Sequence, residues 1–390
     1  MTGRCPSVCT RRPGVCVRVR RTCSGSPRIF WRAEALSQVR KLAQATRRRL
    51  GGTPIGRWLL LPRYPMYGDH FARMMLAVDA YQKAEEARPL RFRLHRCAHR
   101  IEKGLSMPAR RHGFGESVMR ELAMLLGRAH RLLGAEHPSY LWASGVAQAY
   151  FTTLDRDIES ADPGERDTLV GLRDRLQSSF ENVELPEAMN GFQTPLGAPA
   201  TLPSGTLESF ERLMGARQSV RRFLADPVPI EAVRLAMTHA LRAPSACNRQ
   251  PFGVVAIEDR ARIGEAAALL PGGGGFAADA PLLCALTSDF GAYSGHEQRN
   301  LAYIDGGLAA MPFMLSLTAQ GYGSVAMNWS VSVERDRAMR HLLGIRETQI
   351  FLFFVAVGRP HPDALVPASA RRSPDETLVW IAPENGGRQA

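Results

Sequence analysis

A stretch rich in proline and glycine divides this chain into two parts with different residue patterns. Residues 185–205, LPEAMNGFQTPLGAPATLPSG, contain four prolines and three glycines but a single charged residue, Glu187. Proline lacks a backbone N–H and glycine weakens both helices and strands, so this composition favours a connecting segment. We therefore predict a linker over residues 185–205, with differently built segments on either side.

Before the linker, apolar residues recur at intervals of three and four, which is the period of an amphipathic helix. The pattern runs through YPMYGDHFARMMLAVDAYQKAEEARPLRFRLHRCAHRIEKGL, GESVMRELAMLLGRAHRLLG and PSYLWASGVAQAYFTTLDRDI. These segments predict a helical domain over residues 59–184, with its helices between 62 and 180.

After the linker, helices alternate with short apolar runs that are rich in β-branched and aromatic residues. LESFERLMGAR and IEAVRLAMTHALRA read as helices, while GVVAIED, APLLCALTSD and IFLFFVAVGRP read as strands. Residues 206–385 are therefore predicted to form a mixed α+β domain. The run FLFFVAV has the length of a buried strand and is far too short to span a membrane.

The net charge of +13 suggests nucleic-acid binding, but nearly all of it lies in the first fifty residues. That tail holds 13 basic residues against Glu34, whereas the other 340 residues hold 37 basic and 36 acidic groups. We predict a disordered basic tail over residues 1–58, or a misassigned start, since no nucleic-acid motif accompanies the charge, although such a tail could attract phosphates. The body of the chain has no electrostatic reason to bind nucleic acid or an anionic membrane.

The cysteines and the N-terminal sequence favour a cytoplasmic location. Cys97, Cys247 and Cys284 are far apart in the body, as is usual in a reducing compartment, and no apolar segment typical of a secretory signal follows the early arginines. The four tail cysteines lack CxxC spacing, so zinc binding there is the weaker alternative.

The common catalytic signatures are missing from the sequence. There is no P-loop, no GxGxxG motif after a strand and no GxSxG motif. His95, His99 and Glu102 have a helical spacing that could suit a metal. The favoured interpretation is structural, with Glu102 paired to neighbouring Arg or Lys side chains.

Two short stretches carry the most chemistry. In RQSVRRF, residues 217–223, Arg217, Ser219 and Arg221 alternate along an extended or turn segment and can share one face, with Val220 and Phe223 available for packing. The planar guanidinium group suits a phosphate. In APSACNRQPF, residues 243–252, small and amide side chains offer uncharged donors and acceptors suited to the edge of a ring.

With these two stretches in order, residues 207–382 resemble the flavin-dependent nitroreductase family. Two further pieces support the resemblance: AYIDGGLAAMPFMLSLTAQGYGSVAMNW, similar to the family's central helix and the loop beneath the flavin, and VGRPHP followed by SARRSPDETLVW. The implied fold is a mostly antiparallel sheet flanked by helices. The upstream HRIEKGLSMPARRHGFG resembles an extension of family members associated with polysaccharide biosynthesis.

The resemblance implies an FMN site made of four groups of residues. By this resemblance, Arg217 and Ser219 hold the phosphate and ribityl chain of FMN, and Arg221 stabilises negative charge near the pyrimidine side of the ring. A loop from the second subunit of a homodimer reaches the flavin, a backbone N–H approaches flavin N5, and a C-terminal basic pair meets the phosphate. The last three groups are Pro244, Ser245, Ala246 and Asn248; Ala326, Met327 and Asn328; and Arg371 and Arg372. Asn328 and Trp329 replace the Glu and Gly of many relatives.

The resemblance implies a cytoplasmic homodimeric flavoprotein that takes hydride from NAD(P)H and reduces a nitroaromatic, a quinone or a similar small acceptor. No protein acid or base is obligatory in such a reaction, which agrees with the lack of a catalytic dyad and of a metal site. Two alternatives stay open: a flavin-fragmenting or dehalogenating relative, and a non-catalytic flavin-binding module in a polysaccharide-related pathway.

Overall fold

The computed structural model describes residues 65–107, 110–181, 183, 185, 203–273, 275–295, 298 and 300–381. The predicted basic tail and nearly all of the predicted linker lie outside these residues. From Asp69 onward, the described residues form one compact unit.

Ten α-helices lie in the described part of the chain, five of them before the linker. Apolar stripes from the last four of these helices meet in one core that includes Leu94, Leu122, Val146 and Leu172. Asp162 shows how the ends are set: it accepts a hydrogen bond from the Glu165 N–H at 3.0 Å, and Pro163 follows it. The five helices are α1 (Pro65–Lys83), α2 (Ala87–Leu105), α3 (Glu116–Leu133), α4 (Pro138–Ser160) and α5 (Pro163–Ser179).

Five helices and four strands alternate after the linker. The predicted helices at 207–217 and 230–243 and the predicted strands at 253–259, 280–289 and 350–360 are confirmed within a few residues. In chain order the elements are α6 (Thr206–Ala216), α7 (Ile230–Ala240), β1 (Gly253–Ile257), α8 (Arg260–Leu269), β2 (Leu282–Asp289), α9 (Leu301–Ala319), β3 (Gly323–Asn328), α10 (Val333–Leu343) and β4 (Gln349–Gly358).

The four strands form an antiparallel sheet in the order β1-β2-β4-β3. The α+β fold predicted from the sequence is therefore confirmed. β3 corrects the expectation of a loop after the central helix. Val325 and Met327 are buried against the core while Ala326 and Asn328 are exposed, which is the alternation of a strand with one open face.

Each face of the sheet is covered by a pair of helices. On one face α7 and α9 pack against Leu282, Leu286 and Val355, and on the other α8 and α10 pack against Leu283 and Phe354. Gly306 allows α9 to lie close to β4, because a Cβ there would stand 2.5 Å from a methyl carbon of Leu352.

The helices before the linker share a core with the sheet domain. Met74, Tyr81 and Phe92 pack with Phe290 and Tyr293 from the end of β2. Two ion pairs accompany this contact: Arg88 Nε lies 2.5 Å from Asp289 Oδ2, and Arg73 Nη1 lies 3.3 Å from Asp336 Oδ2. Both aspartates are buried, so the helical segment neutralises charge inside the sheet domain.

Among the described helices, α9 alone has the length and hydropathy of a membrane span. It packs against α7 and three strands, and eight of its residues are buried. A core helix passes the same test of length and composition.

Candidate functional site

The arginine-rich segment runs beside the edge strand of the sheet. Ser219 forms a parallel bridge with Ser324 of β3, and the Val220 N–H donates to the Ser324 carbonyl at 3.1 Å. Val220 is buried against Gly323, so its predicted packing role is confirmed. The segment combines the extended and turn forms that were predicted: Arg217 is extended where it ends α6, and the Val220 N–H also lies 3.2 Å from the Gln218 carbonyl, as in a tight turn.

Beyond this bridge, no strand in the described part of the chain pairs with the outer edge of β3. The carbonyl of Ser324 points away from β4, and the N–H and C=O groups of one residue point to the same side of a strand. The backbone groups of Ala326 and Asn328 therefore also face away from β4, whereas those of Met327 face it. Of the three residues predicted to supply an N–H donor, Ala326 and Asn328 can therefore donate to a ligand, whereas the N–H of Met327 faces β4.

The guanidinium groups of the arginine-rich segment are open to a ligand. Arg217 is half-buried and forms no ion pair or side-chain hydrogen bond within the described residues. Arg221 is exposed; it bonds to the Ser219 carbonyl at 3.4 Å and lies over the Phe276 ring at 5.8 Å. At the bridge, the buried Ser324 hydroxyl finds no hydrogen-bond partner among the residues that the structure describes. This set of donors fits an anionic, phosphorylated ligand such as FMN.

The amide-rich loop at 243–252 is built differently. Cys247, Asn248 and Gln250 have φ angles of 53°, 52° and 51°, in the left-handed region that is costly for residues other than glycine. Each such residue costs on the order of 1 kcal/mol, so contacts around the loop must hold it in this form.

Hydrogen bonds from two helices hold the loop. On one side, Asp305 of α9 accepts from the Ala246 N–H at 3.0 Å and from the Tyr293 hydroxyl at 2.9 Å. On the other side, His95 of α2 contacts the Asn248 carbonyl at 2.6 Å. Burial raises the pKa of both Asp305 and Tyr293, and it lowers the pKa of His95 to about 4.

The four predicted groups of site residues are only partly brought together in one chain. Ser219 meets β3, but no hydrogen bond or ion pair among the described residues joins either of these to the 244–250 loop or to Arg371 and Arg372. Both C-terminal arginines are exposed, and Arg372 bonds to Glu376 at 3.3 Å. The cavity beside Pro244 and Ser245 has a volume of about 10 Å³, enough for a single water but not for a ring.

The metal alternative finds no support in the described residues, where no three His, Cys, Asp or Glu side chains group as metal ligands. Among the described residues, Glu102 contacts His99 at 3.3 Å and accepts from the Trp142 indole at 3.4 Å, and the expected pairing with Arg or Lys is not observed. Burial raises the pKa of Cys97 and of Cys284 to about 12, so neither thiol is an activated nucleophile.

Sequence reasoning missed three residues that support the site: Asp305, Trp329 as a packing residue, and His95 as a partner of the loop. Trp329 follows β3 directly, lies against Phe354, and donates to Asp336 at 2.8 Å. His95 was singled out for its spacing, but its partner lies 153 positions away and nothing local indicates the pairing.

Comparison with known proteins gives three kinds of similarity. Residues 214–359 match the model of the nitroreductase family. A protein of Thermus thermophilus named NADH dehydrogenase is 49% identical over 45 residues, which are 12% of this chain and 22% of that protein. The chain thus matches about a fifth of that relative's length.

Two solved structures are similar to about half of the chain. An FMN-dependent nitroreductase from Clostridium difficile is 18% identical, with 45% of this chain and 98% of that one covered and a TM-score of 0.35. A nitroreductase family protein from Streptococcus pneumoniae is 21% identical, with 44% and 100% covered and a TM-score of 0.39.

The family match includes the arginine-rich segment from Arg217, the amide-rich loop and the whole sheet, and it ends one residue after β4. The residues whose geometry suits a phosphorylated ligand therefore lie inside the matched region, apart from the C-terminal pair. Residues 214–359 of this chain thus match the nitroreductase family model, and a helical segment precedes the matched region.

Proposed function

We propose that this protein is an FMN-dependent oxidoreductase that uses NAD(P)H to reduce a small acceptor such as a nitroaromatic or a quinone. The observation that carries the proposal is the contact of the arginine-rich segment with β3 inside the nitroreductase-family region. It puts unpaired guanidinium groups and free backbone donors on one edge of the sheet.

The residues of this chain would each do one task. Arg217 and Ser219 hold the phosphate and ribityl chain, together with Arg371 and Arg372. Arg221 places positive charge beside the pyrimidine edge, where it stabilises the negative charge that reduction adds. The N–H groups of Ala326 and Asn328 donate to the ring edge. Bound FMN would supply the redox chemistry, by taking hydride from NAD(P)H and transferring electrons to the second substrate.

We further propose a homodimer in which the 244–250 loop reaches the flavin of the other subunit. Two observations support it. No polar contact between the loop and the arginine-rich segment is seen in the part of the chain that the structure describes, and α6 is an amphipathic helix with no buried residue. Leu207 and Phe210 are 64% and 54% exposed, and Ile304 and Leu308 of α9 are exposed as well. Exposed apolar side chains in this number suit an interface between two copies.

An absorbance spectrum of the purified protein tests the cofactor. We expect flavin bands near about 370 and 450 nm, because the protein tunes but does not remove the transitions of a bound flavin. A protein that stays colourless after saturation with FMN and removal of excess would contradict the proposal. Steady NAD(P)H oxidation that depends on a nitroaromatic or quinone acceptor separates the reductase from a flavin-fragmenting relative and from a non-catalytic flavin-binding module.

Sedimentation tests the dimer. We expect the mass of two chains for the wild-type protein and a shift toward one chain for Phe210→Asp, since the charge would be buried at the interface. Arg212→Asp is the matched control, because Arg212 is an exposed polar residue of the same helix. A wild-type monomer that retains FMN would refute the shared site.

A further inference from the structure

The amide-rich loop bonds to a helix that lies more than a hundred residues before it in the chain. The 3₁₀ turn Ala246–Asn248 rests on α2, which belongs to the helical segment and lies outside the region that matches the nitroreductase family. A segment outside that region therefore contacts one of the loops proposed to hold the flavin.

His95 makes the central bond of this contact, and its two nitrogens have fixed roles. A carbonyl oxygen can only accept, so Nδ1 carries the proton and donates to the Asn248 carbonyl at 2.6 Å. Nε2 then accepts from the Ser139 hydroxyl at 2.8 Å. The ring is 5% exposed and packs against Trp142. Its position is thus set by α4 on one side, and it sets the position of the loop on the other.

The hydrogen bond from His95 reaches the part of the loop where left-handed residues are concentrated. Asn248 and its neighbour Cys247 are both left-handed, and Gln250 is left-handed as well. Within the loop, the Asn248 N–H bonds to the Ser245 carbonyl and the Gln250 N–H bonds to the Ser245 hydroxyl. The Asn248 carbonyl, in contrast, is satisfied from outside the loop, by His95.

The helical segment that carries His95 is itself firmly joined to the sheet domain. Met74, Tyr81 and Phe92 are buried against Phe290, and Arg88 pairs with the buried Asp289. Movement of α2 relative to the loop would break these contacts. These contacts therefore fix the position of α2 relative to the amide-rich loop.

We propose that the helical segment positions the amide-rich loop for flavin binding, with His95 as the positioning residue. The inference rests on the proposed function for its ligand, but the contact between His95 and the loop is a separate claim. His95 does not touch the reacting atoms in this scheme. It acts through the Asn248 carbonyl, by holding the left-handed turn in the form that presents Ser245 and the Asn248 side chain.

Two measurements on the full chain test the proposal with His95→Ala and His95→Asn. Amide hydrogen exchange of residues 245–250, without added ligand, reports on the loop itself. FMN titration of apoprotein, followed by flavin fluorescence at a temperature where each variant is folded by circular dichroism, reports on the site. Leu126→Val is the control, because Leu126 is buried in the core of the helical segment.

We expect His95→Ala to accelerate exchange at 245–250 and to raise the FMN Kd about tenfold, as for loss of one buried hydrogen bond. His95→Asn should restore much of both, because its amide can donate to the same carbonyl. Leu126→Val should lower the melting temperature and change neither. Unchanged exchange in His95→Ala, or faster exchange with an unchanged FMN Kd, would overturn the inference. A wild-type protein that binds no FMN would refute the proposed function, while the exchange data would still decide whether His95 holds the loop.

Discussion

The two loops proposed to bind the cofactor contrast in how the protein holds them. The arginine-rich segment is tied to β3 through its backbone, and its guanidinium groups find no carboxylate among the described residues. The amide-rich loop is left-handed at three positions and is held by His95 and Asp305 from two helices. The arginine-rich segment keeps its positive charge unpaired, which suits binding of an anionic ligand. The amide-rich loop has a strained backbone held by buried hydrogen bonds, which suits a loop whose conformation is fixed before the ligand binds.

This contrast predicts different consequences of mutation in the two loops. Changes around the amide-rich loop should alter the free energy of unfolding, and changes in the arginine-rich segment should alter cofactor binding alone.

The largest effect is expected from pH acting on His95. Its pKa is lowered to about 4 by burial, with Arg91 and His137 adding to the effect and the bond to the Asn248 carbonyl opposing it. Well above the ordinary histidine pKa of about 6.5, His95 is neutral in both the folded and the unfolded state. As the pH falls toward 4, the unfolded state takes up a proton and the folded state does not. The free energy of unfolding should therefore drop by on the order of 3 kcal/mol over that range.

Urea denaturation at pH 7 and pH 4.5 measures this drop, and His95→Asn provides the comparison. The variant lacks the titrating ring, so its loss of stability between the two pH values should be smaller than that of the wild type. An equal loss in both proteins would mean that His95 is not held neutral by burial.

The next effect is expected from Asp305→Ala, which removes the second support of the amide-rich loop. The Ala246 N–H and the Tyr293 hydroxyl would both lose their acceptor in a buried place, at a cost of about 2 kcal/mol. Chemical denaturation measures the change. Asp226→Ala, at an exposed position of the same domain, should stay within about 0.5 kcal/mol of the wild type. If both variants lost the same free energy of unfolding, Asp305 would contribute no more to stability than an exposed aspartate, which would contradict its role in holding the amide-rich loop.

Arg217→Ala should show the opposite behaviour. Its removal leaves no buried partner unpaired, so the free energy of unfolding should change by less than about 0.5 kcal/mol. The FMN Kd should rise at least about tenfold, because a charge-assisted bond to phosphate is lost. Arg222→Ala makes the same change of charge at an exposed position five residues further along the same segment, to which no role in binding the phosphate is assigned. If both variants bind FMN like the wild type, Arg217 does not hold the phosphate.

The smallest effect is expected from Arg372→Ala. This side chain is exposed and already bonded to Glu376, so its loss should raise the FMN Kd only about threefold. Titration at low and high salt checks the origin of the effect, since an exposed charge is screened by salt. A tenfold or greater effect would place the C-terminal pair on a par with Arg217.

Much of this fold could be predicted from residue periodicity. The helices of both parts show apolar residues at intervals of three and four, and strands β1, β2 and β4 are short apolar runs. β3 could not be found in this way, because Gly323–Asn328 is an edge strand whose Ala326 and Asn328 face outward and whose first residue is glycine. Its pairing depends on β4, which lies later in the chain.

The site was predictable only where its residues lie close in sequence. The spacing of Arg217, Ser219 and Arg221 marked the first loop, and the small and amide residues marked the second. The contacts of His95 with Asn248 and of Arg73 with Asp336 join residues far apart, and a histidine or an arginine on a helix gives no sign of a distant partner.

An experimental structure of the protein saturated with FMN tests the central claim most directly. We predict one FMN per chain, with its phosphate within hydrogen-bond distance of Arg217 and Ser219, its ring beside the N–H groups of Ala326 and Asn328, and the 244–250 loop of a second copy at the ring. An FMN bound elsewhere, or a ring that no 244–250 loop approaches, would contradict it.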